Sequence, residues 1–245
     1  MSFVGAGTVI NVVAILGGSM LGIFAGHRLS LRTRDLVTDV LGLITLLGAA
    51  GGLIPLWSKS YIQSLPQGWS LLVVLSSLLI GGVIGSALQL EDKLEKFGES
   101  LRKSLKADGE GTFVEGFVSA SLLFVIGPLA ILGSISDGMS QGIDQLILKS
   151  SLDFFAAMAF ASSLGWGVAL SAFPVALYQG IWTVVGLLLG SVMAGYQISA
   201  MTIVGGCLLI GIALRLLKIR EIAVGNLLPA LALAPVIAMV AHSFM

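Results

Sequence analysis

The sequence predicts an all-α protein, a polytopic transmembrane helical bundle of about eight spans containing an inverted repeat. Three observations predict it. Of 245 residues, 56% are hydrophobic and only 11% are charged, against about 25% charged in a soluble domain. The mean hydropathy is +1.02, so there is too little charge to coat a water-facing surface of this size. The apolar residues also fall into eight runs of the roughly 20 residues that cross a bilayer as a helix. This excludes a soluble enzyme, a nucleic-acid binder and a disordered chain. The formal net charge of zero gives no global attraction for polyanions. A single cysteine, Cys207, rules out an intramolecular disulfide or a thiolate metal cluster within one chain.

The eight runs are 5–26, 36–57, 70–90, 114–133, 150–168, 170–194, 199–217 and 224–243. They are read as one integral membrane domain covering 1–245. No basic region precedes the first run, and Arg28, Arg32 and Arg34 follow it, so it is expected to be a span and not a cleaved signal. Gly18, Gly22 and Gly26 mark it at small-xxx-small spacing, the pattern of closely packed membrane helices. The second run opens at Asp39, beside a cluster of surface charges, and Gly81 and Gly85 repeat the glycine spacing in the third. Gly127 and Pro128 weaken the fourth. The fifth and sixth are nearly continuous, broken only around Gly165-Trp166-Gly167 and Pro174. They are either two spans joined by a tight turn or one span with a re-entrant segment. Asn226, Pro229 and Pro235 predict a kinked eighth span.

Between the third and fourth runs lies a charged segment, 91–113, in which Leu90, Leu94, Phe97, Leu101 and Leu105 recur at helical spacing. It is expected to be an amphipathic helix at the cytoplasmic interface, or else a helix that binds a regulatory partner.

Eleven of the thirteen Lys and Arg residues lie in three clusters, 28–34, 93–106 and 215–220. Eight spans put all three clusters on one side, with Lys59 and Lys149 opposite. The positive-inside rule then places both termini outside the cytoplasm of an inner-membrane protein.

Spans one and two resemble spans six and seven. Gly186, Gly190 and Ala194 repeat the spacing of Gly18, Gly22 and Gly26, and GLITLLG from Gly42 matches GGCLLIG from Gly205. Because spans one and six run in opposite directions, the repeat is inverted, an architecture common among secondary transporters. Small residues at this spacing are also ordinary packing surface.

Ionisable groups at membrane depth are functional candidates because burying them there is costly. Asp153, near the start of span five, is the foremost, and Lys149 one turn earlier is placed to pair with it. The alternative for Asp153 is an interfacial residue that stabilises a helix N-terminus. Asp137 follows the weakened span four, and with Asp153 is read as a metal or cation site. Asp144 is a third candidate ligand, for which a solvated loop residue is the favoured reading. Such oxygen ligands suit Mn, Mg or Ca. Asn11 and Gln179, one in each repeat unit, are read as substrate- or ion-binding amides lining a path, or as helix glue. His27 and His242 both sit near span ends, and no nucleophile elbow, HExxH or Walker loop occurs. The protein is therefore expected not to be an enzyme and to need no cofactor.

The opening GTVINVVAILGGSMLGIFAGHRL, the centre FVIGPLAILGSISDG with KSSLDFFAAMAFASSLGWGVALSAFPVALYQG, and the close KIREIAVGNLLPALALAPV resemble the prokaryotic membrane family called domain of unknown function 554. The resemblance covers nearly the whole chain and implies an inner-membrane protein. Residues 150–217 are also similar to half of the MntP-type manganese exporters, in SSLDFFAAMAFASSLG, GLLLGSVMAG and GGCLLIGIALRLL. That likeness implies that Asp153 matches an acidic residue on an ion path. The chain departs from the exporters in its extra spans and in lacking a second such aspartate motif in its first half.

The expected function is therefore a secondary transporter or exporter of a small ion, including a divalent cation, or of a small polar metabolite. The expected partners are the lipid bilayer, that solute and a second copy of the chain, with no nucleic acid. The alternative is a non-transporting membrane scaffold, in which the glycine faces oligomerise and 91–113 recruits a partner.

Overall fold

The computed structural model describes residues 3–26, 30–104, 112–126, 128–189 and 193–245. His27, Arg28, Leu105, Lys106, Gly127 and Gly190, which entered the sequence reading, lie outside the described residues. All regular structure among the described residues is helical. In order the helices are α1 (Ala6–Gly26), α2 (Leu31–Leu53), α3 (Lys59–Ile62), α4 (Trp69–Ala87), α5 (Leu90–Ser104), α6 (Phe113–Val125), α7 (Pro128–Gly138), α8 (Asp144–Leu164), α9 (Gly167–Leu170), α10 (Ala172–Leu189), α11 (Gly195–Leu216) and α12 (Pro229–His242).

Seven elements are long and apolar enough to cross a membrane: α1, α2 with its 3-10 extension to Trp57, α4, α8, α9 with α10, α11, and α12 with the turn before it. The bent pair α6–α7, with 62° between its halves, makes an eighth when counted as one span. Its two ends lie at opposite ends of the α1–α8 pair. At the start, Thr112 Oγ1 donates to the Leu164 carbonyl at the C-terminus of α8, at 3.2 Å. At the end, Asp137 accepts from Gly7 N at the N-terminus of α1, at 3.0 Å. Pro128 cannot donate a backbone hydrogen bond, which fixes the break.

Two expectations change. Span four was expected at 114–133 and is instead two helices reaching Gly138. Span five was expected to begin at 150, whereas α8 begins at Asp144 and carries Lys149 inside it, on the same helix face as Asp153 as the spacing predicts. Spans five and six are separate helices. Gly165 ends α8 at a positive φ of 78°, a conformation that glycine adopts without the clash a Cβ would bring. Over 91–113, the expected amphipathic helix is α5, ending at Ser104. Its Phe97 ring packs 5.8 Å from Phe117 and 5.6 Å from Phe173.

The chain forms two compact units. The first comprises Met1–Leu41, Leu94–Val125 and Leu129–Val192, and the second Gly42–Lys93, Ile126–Pro128 and Met193–Met245. In the first, α1 and α8 lie backbone to backbone. A Cβ at Gly18, Gly22 or Gly26 would overlap the carbonyl oxygens of Phe154, Met158 and Ser162 respectively. Both series rise by four residues, so the two helices run parallel, in register over two turns. In lipid no hydrophobic effect drives helices together, so close backbone approach supplies the dispersion contact that holds them. In the second unit, Gly81 and Gly85 of α4 meet Ala230 and Asn226, and this pair runs antiparallel. Gly48 and Gly51 of α2 have nothing within 4 Å of where a Cβ would stand.

These contacts separate the glycines by what they touch. Gly22→Leu should lose most monodisperse protein in detergent, since overpacking costs about 1–3 kcal/mol even where side chains can yield, and here the obstacle is backbone. Gly48→Ala should elute and melt as the native protein does. Size-exclusion chromatography of both variants checks this, and equal behaviour would remove the α1–α8 contact as the determinant.

Candidate functional site

Asp153 is the tenth of the 21 residues of α8. At 1.5 Å per residue it lies about 14 Å into the helix, close to the middle of an element whose length matches a hydrocarbon layer about 30 Å thick. It therefore has no free helix N-terminus to stabilise, and Asp144, which is exposed, occupies the first turn instead. The Lys149 ammonium, one turn earlier on the same face, pairs with Asp153 Oδ2. The two side chains are 7% and 10% exposed. Asn11 of α1 donates from Nδ2 to the same oxygen at 3.0 Å. Neither bond uses Oδ1 of Asp153. The Phe124 ring closes the site over the ammonium, 6.0 Å from ring centre to Nζ.

The position of Asn11 follows from the glycine contact. It lies seven residues, or two turns, before Gly18, on the α1 face that meets α8. Its Oδ1 is fully buried and has no hydrogen-bond partner.

Asp137 is brought to α1 but not into this group. Its Oδ1 accepts from Gly5 N at 3.2 Å and its Oδ2 from Gly7 N at 3.0 Å. It is 2% exposed, and it caps the N-terminus of α1 from a distance of 130 residues along the chain. The carboxylate satisfies two donors that the helix leaves unpaired and lies at the positive end of its dipole. The two aspartates thus attach to α1 one turn apart, through different partners. Among the described residues no three His, Cys, Asp or Glu side chains gather into a metal site.

Gln179 of α10 is fully buried, and both atoms of its amide lack partners. Thr8 Oγ1 and Ser19 Oγ on α1 and Ser119 Oγ on α6 are likewise buried and unpaired. All belong to the first unit, where α10 packs against both α1 and α6. An unsatisfied buried polar atom costs about 1–3 kcal/mol, and more in a low-dielectric interior. With Asn11 Oδ1 and Arg102 Nε, six described residues of the first unit hold a buried side-chain polar atom without a hydrogen-bond partner.

The sequence reading missed a second polar group, in the second unit. Glu91 at the start of α5 is 6% exposed. Its Oε1 accepts from Arg215 Nη1 at 2.5 Å and its Oε2 from Gly225 N at 2.5 Å. Its backbone N–H donates to Asn226 Oδ1 at 2.9 Å. Glu91 and Arg215 stood among loop charges, and Asn226 was read only as a kink marker. That both charges close a span on the same side of an eight-span chain was the available signal.

The sequence pattern described as "Protein of unknown function (DUF554)" matches residues 6–239. The chain belongs to the DUF554 family. It is similar to the "Uncharacterized membrane protein YdfK" of Bacillus subtilis (strain 168), with 29% identity over 238 residues and 97% of each chain covered. It is similar also to the "Uncharacterized protein YqgA" of Escherichia coli (strain K12), with 34% identity over 232 residues, 93% of this chain and 94% of the relative. No solved structure matches the chain. Membership covers both the α1–α8 site and the Glu91 group, because the matched stretch runs from α1 into α12. The likeness of 150–217 to manganese exporters finds no support in these relatives.

Asp137 should behave as a cap. Asp137→Ala should lower the melting point by the equivalent of about 1–2 kcal/mol, while Asp137→Asn, which keeps one acceptor oxygen, should lower it less. Thermal unfolding of the two variants in detergent tests this, and equal losses would mean that the negative charge itself is what α1 requires.

Proposed function

We propose that this DUF554 protein is a secondary transporter of a small polar solute or ion across the cell's inner membrane. The Lys149–Asp153–Asn11 group is its binding site. The observation that carries this reading is an ion pair held halfway along a membrane-length helix, beside buried hydrogen-bonding atoms that no protein group satisfies. Ion pairs are expensive at that depth and persist there where a path for charge or polar solutes needs them. The inverted repeat and the outward placement of both termini belong to the same proposal. The placement of the termini is supported by seven membrane-length elements with the bent pair α6–α7 as an eighth and by the charge clusters beside them, and the inverted repeat by the small-residue spacing that spans one and six share. The scaffold alternative receives less support, because Phe97 of α5 already packs on aromatic rings of its own chain.

A single neutralising change is a poor test, because Asp153→Asn leaves the Lys149 charge buried and uncompensated, at a cost of about 3–5 kcal/mol. The double variant Lys149→Met/Asp153→Asn removes both charges and keeps the site neutral. Proteoliposomes of the native protein should take up one of four radiolabelled probes, namely manganese, sodium, mixed L-amino acids or succinate, faster than protein-free liposomes. The double variant should elute normally and lose that uptake by at least about tenfold. Uptake that survives in the double variant, or none by the native protein, overturns the reading.

A further inference from the structure

We infer that the Lys149–Asp153–Asn11 site takes a zwitterion, of the class of the α-amino acids, and not a bare metal cation or a simple anion. The inference rests on the transporter reading and adds the substrate class to it.

Charge sets the first constraint. Lys149 and Asp153 sum to zero, and no other ionisable group touches them among the described contacts. The Asp137 charge is committed to the two backbone N–H groups that start α1. A metal cation arriving at Asp153 would meet the Lys149 ammonium on the same oxygen. It would also find only one carboxylate and one amide oxygen where hard cations gather six or more oxygen ligands. A monoanion would pair with Lys149 and leave Asp153 uncompensated beside it. Either guest leaves a net charge at membrane depth, where an unpaired ion is least tolerated. A zwitterion leaves none.

The unsatisfied atoms set the second constraint. Asn11 uses its Nδ2 on Asp153 and leaves Oδ1, an acceptor, fully buried and unpaired. Oδ1 of Asn11 and Oδ1 of Asp153 are thus two acceptors on neighbouring helices, suited to a substrate ammonium. Lys149 spends one N–H on Asp153 Oδ2 and retains two more, since an ammonium has three. These suit a substrate carboxylate. The pair opens to the guest by exchanging partners, charge for charge, so the total of paired charges is conserved.

The test is the thermal stability of the purified full-length protein in detergent. The probes are the twenty L-amino acids singly, propionate and ethylamine as the two charged halves of alanine, and manganese chloride. At tenfold excess over Kd, at least one amino acid should raise the melting midpoint by about 3 °C. Propionate, ethylamine and manganese should not, and the shift should vanish in Lys149→Met/Asp153→Asn. A shift from manganese or from one half-molecule, with none from the amino acids, overturns the zwitterion. If that shift also vanishes in the double variant, the transporter reading survives with a different substrate class. No shift from any probe overturns the zwitterion too, and uptake by proteoliposomes then decides whether transport falls with it.

Discussion

Three glycines spaced by four residues allow the backbones of α1 and α8 to touch, and the polar centre of the first unit depends on that contact. With Gly18, Gly22 and Gly26 set against the carbonyls of Phe154, Met158 and Ser162, the register between the helices is fixed to within a residue. Two turns back along α1, that register delivers Asn11 to Asp153. One turn further back it delivers Gly7 to Asp137 and Leu146. A bulkier face on α1 would hold the helices apart by the width of a side chain. Asn11 would then fall short of the carboxylate, and the ion pair on α8 would lose its only side-chain hydrogen bond from another helix among the described contacts.

Much of this was legible in the sequence. The apolar runs fixed most of the spans to within a few residues, because a membrane helix is recognised by composition and length, and both are local properties. The glycine pattern of α1 announced a close packing face. The start of α8 was not legible. QLILKS reads as the edge of a loop, since Lys149 lowers the local hydropathy, and only its pairing with Asp153 makes it tolerable inside the helix. The partner of Asp137 was hidden for another reason. Its donors lie 130 and 132 residues away, and no local signal connects a carboxylate to a distant helix N-terminus. The 62° break in span four was foreseen as a weakness at Gly127 and Pro128, but its size depends on tertiary packing.

Three carboxylates of similar chemistry hold three different positions, and in each case the donor decides the role. Asp137 meets backbone N–H groups and finishes a helix. Glu91 meets Arg215 and Gly225, and ties the start of α5 to the end of α11 and the turn before α12. Asp153 meets a lysine on its own helix and an amide from another, with an oxygen to spare. Asp137 is bonded only to backbone N–H groups. Glu91 uses both carboxylate oxygens, one on the Arg215 side chain and one on a backbone N–H. Asp153 takes both of its bonds on one oxygen, from two side chains. A carboxylate with an oxygen outside its bonds accepts a further donor without giving up a partner.

The two flanks of α1 complete the contrast. The glycine line is sealed against α8 and leaves no room for a guest. Thr8 and Ser19, eleven residues apart and so nearly superimposed in projection, lie roughly 40–60° around the helix from the centre of that line. Both are buried, with hydroxyl oxygens unpaired, and α9 and α10 also pack on α1. Gln179 lies on α10 with its amide also unpaired. Asn11 lies on the glycine line itself, bonded to Asp153 through Nδ2 and unsatisfied through Oδ1. α1 therefore carries one line closed by backbone contact and, beside it, hydroxyls with hydrogen bonds still to make, an asymmetry that a helix serving only as packing surface does not require.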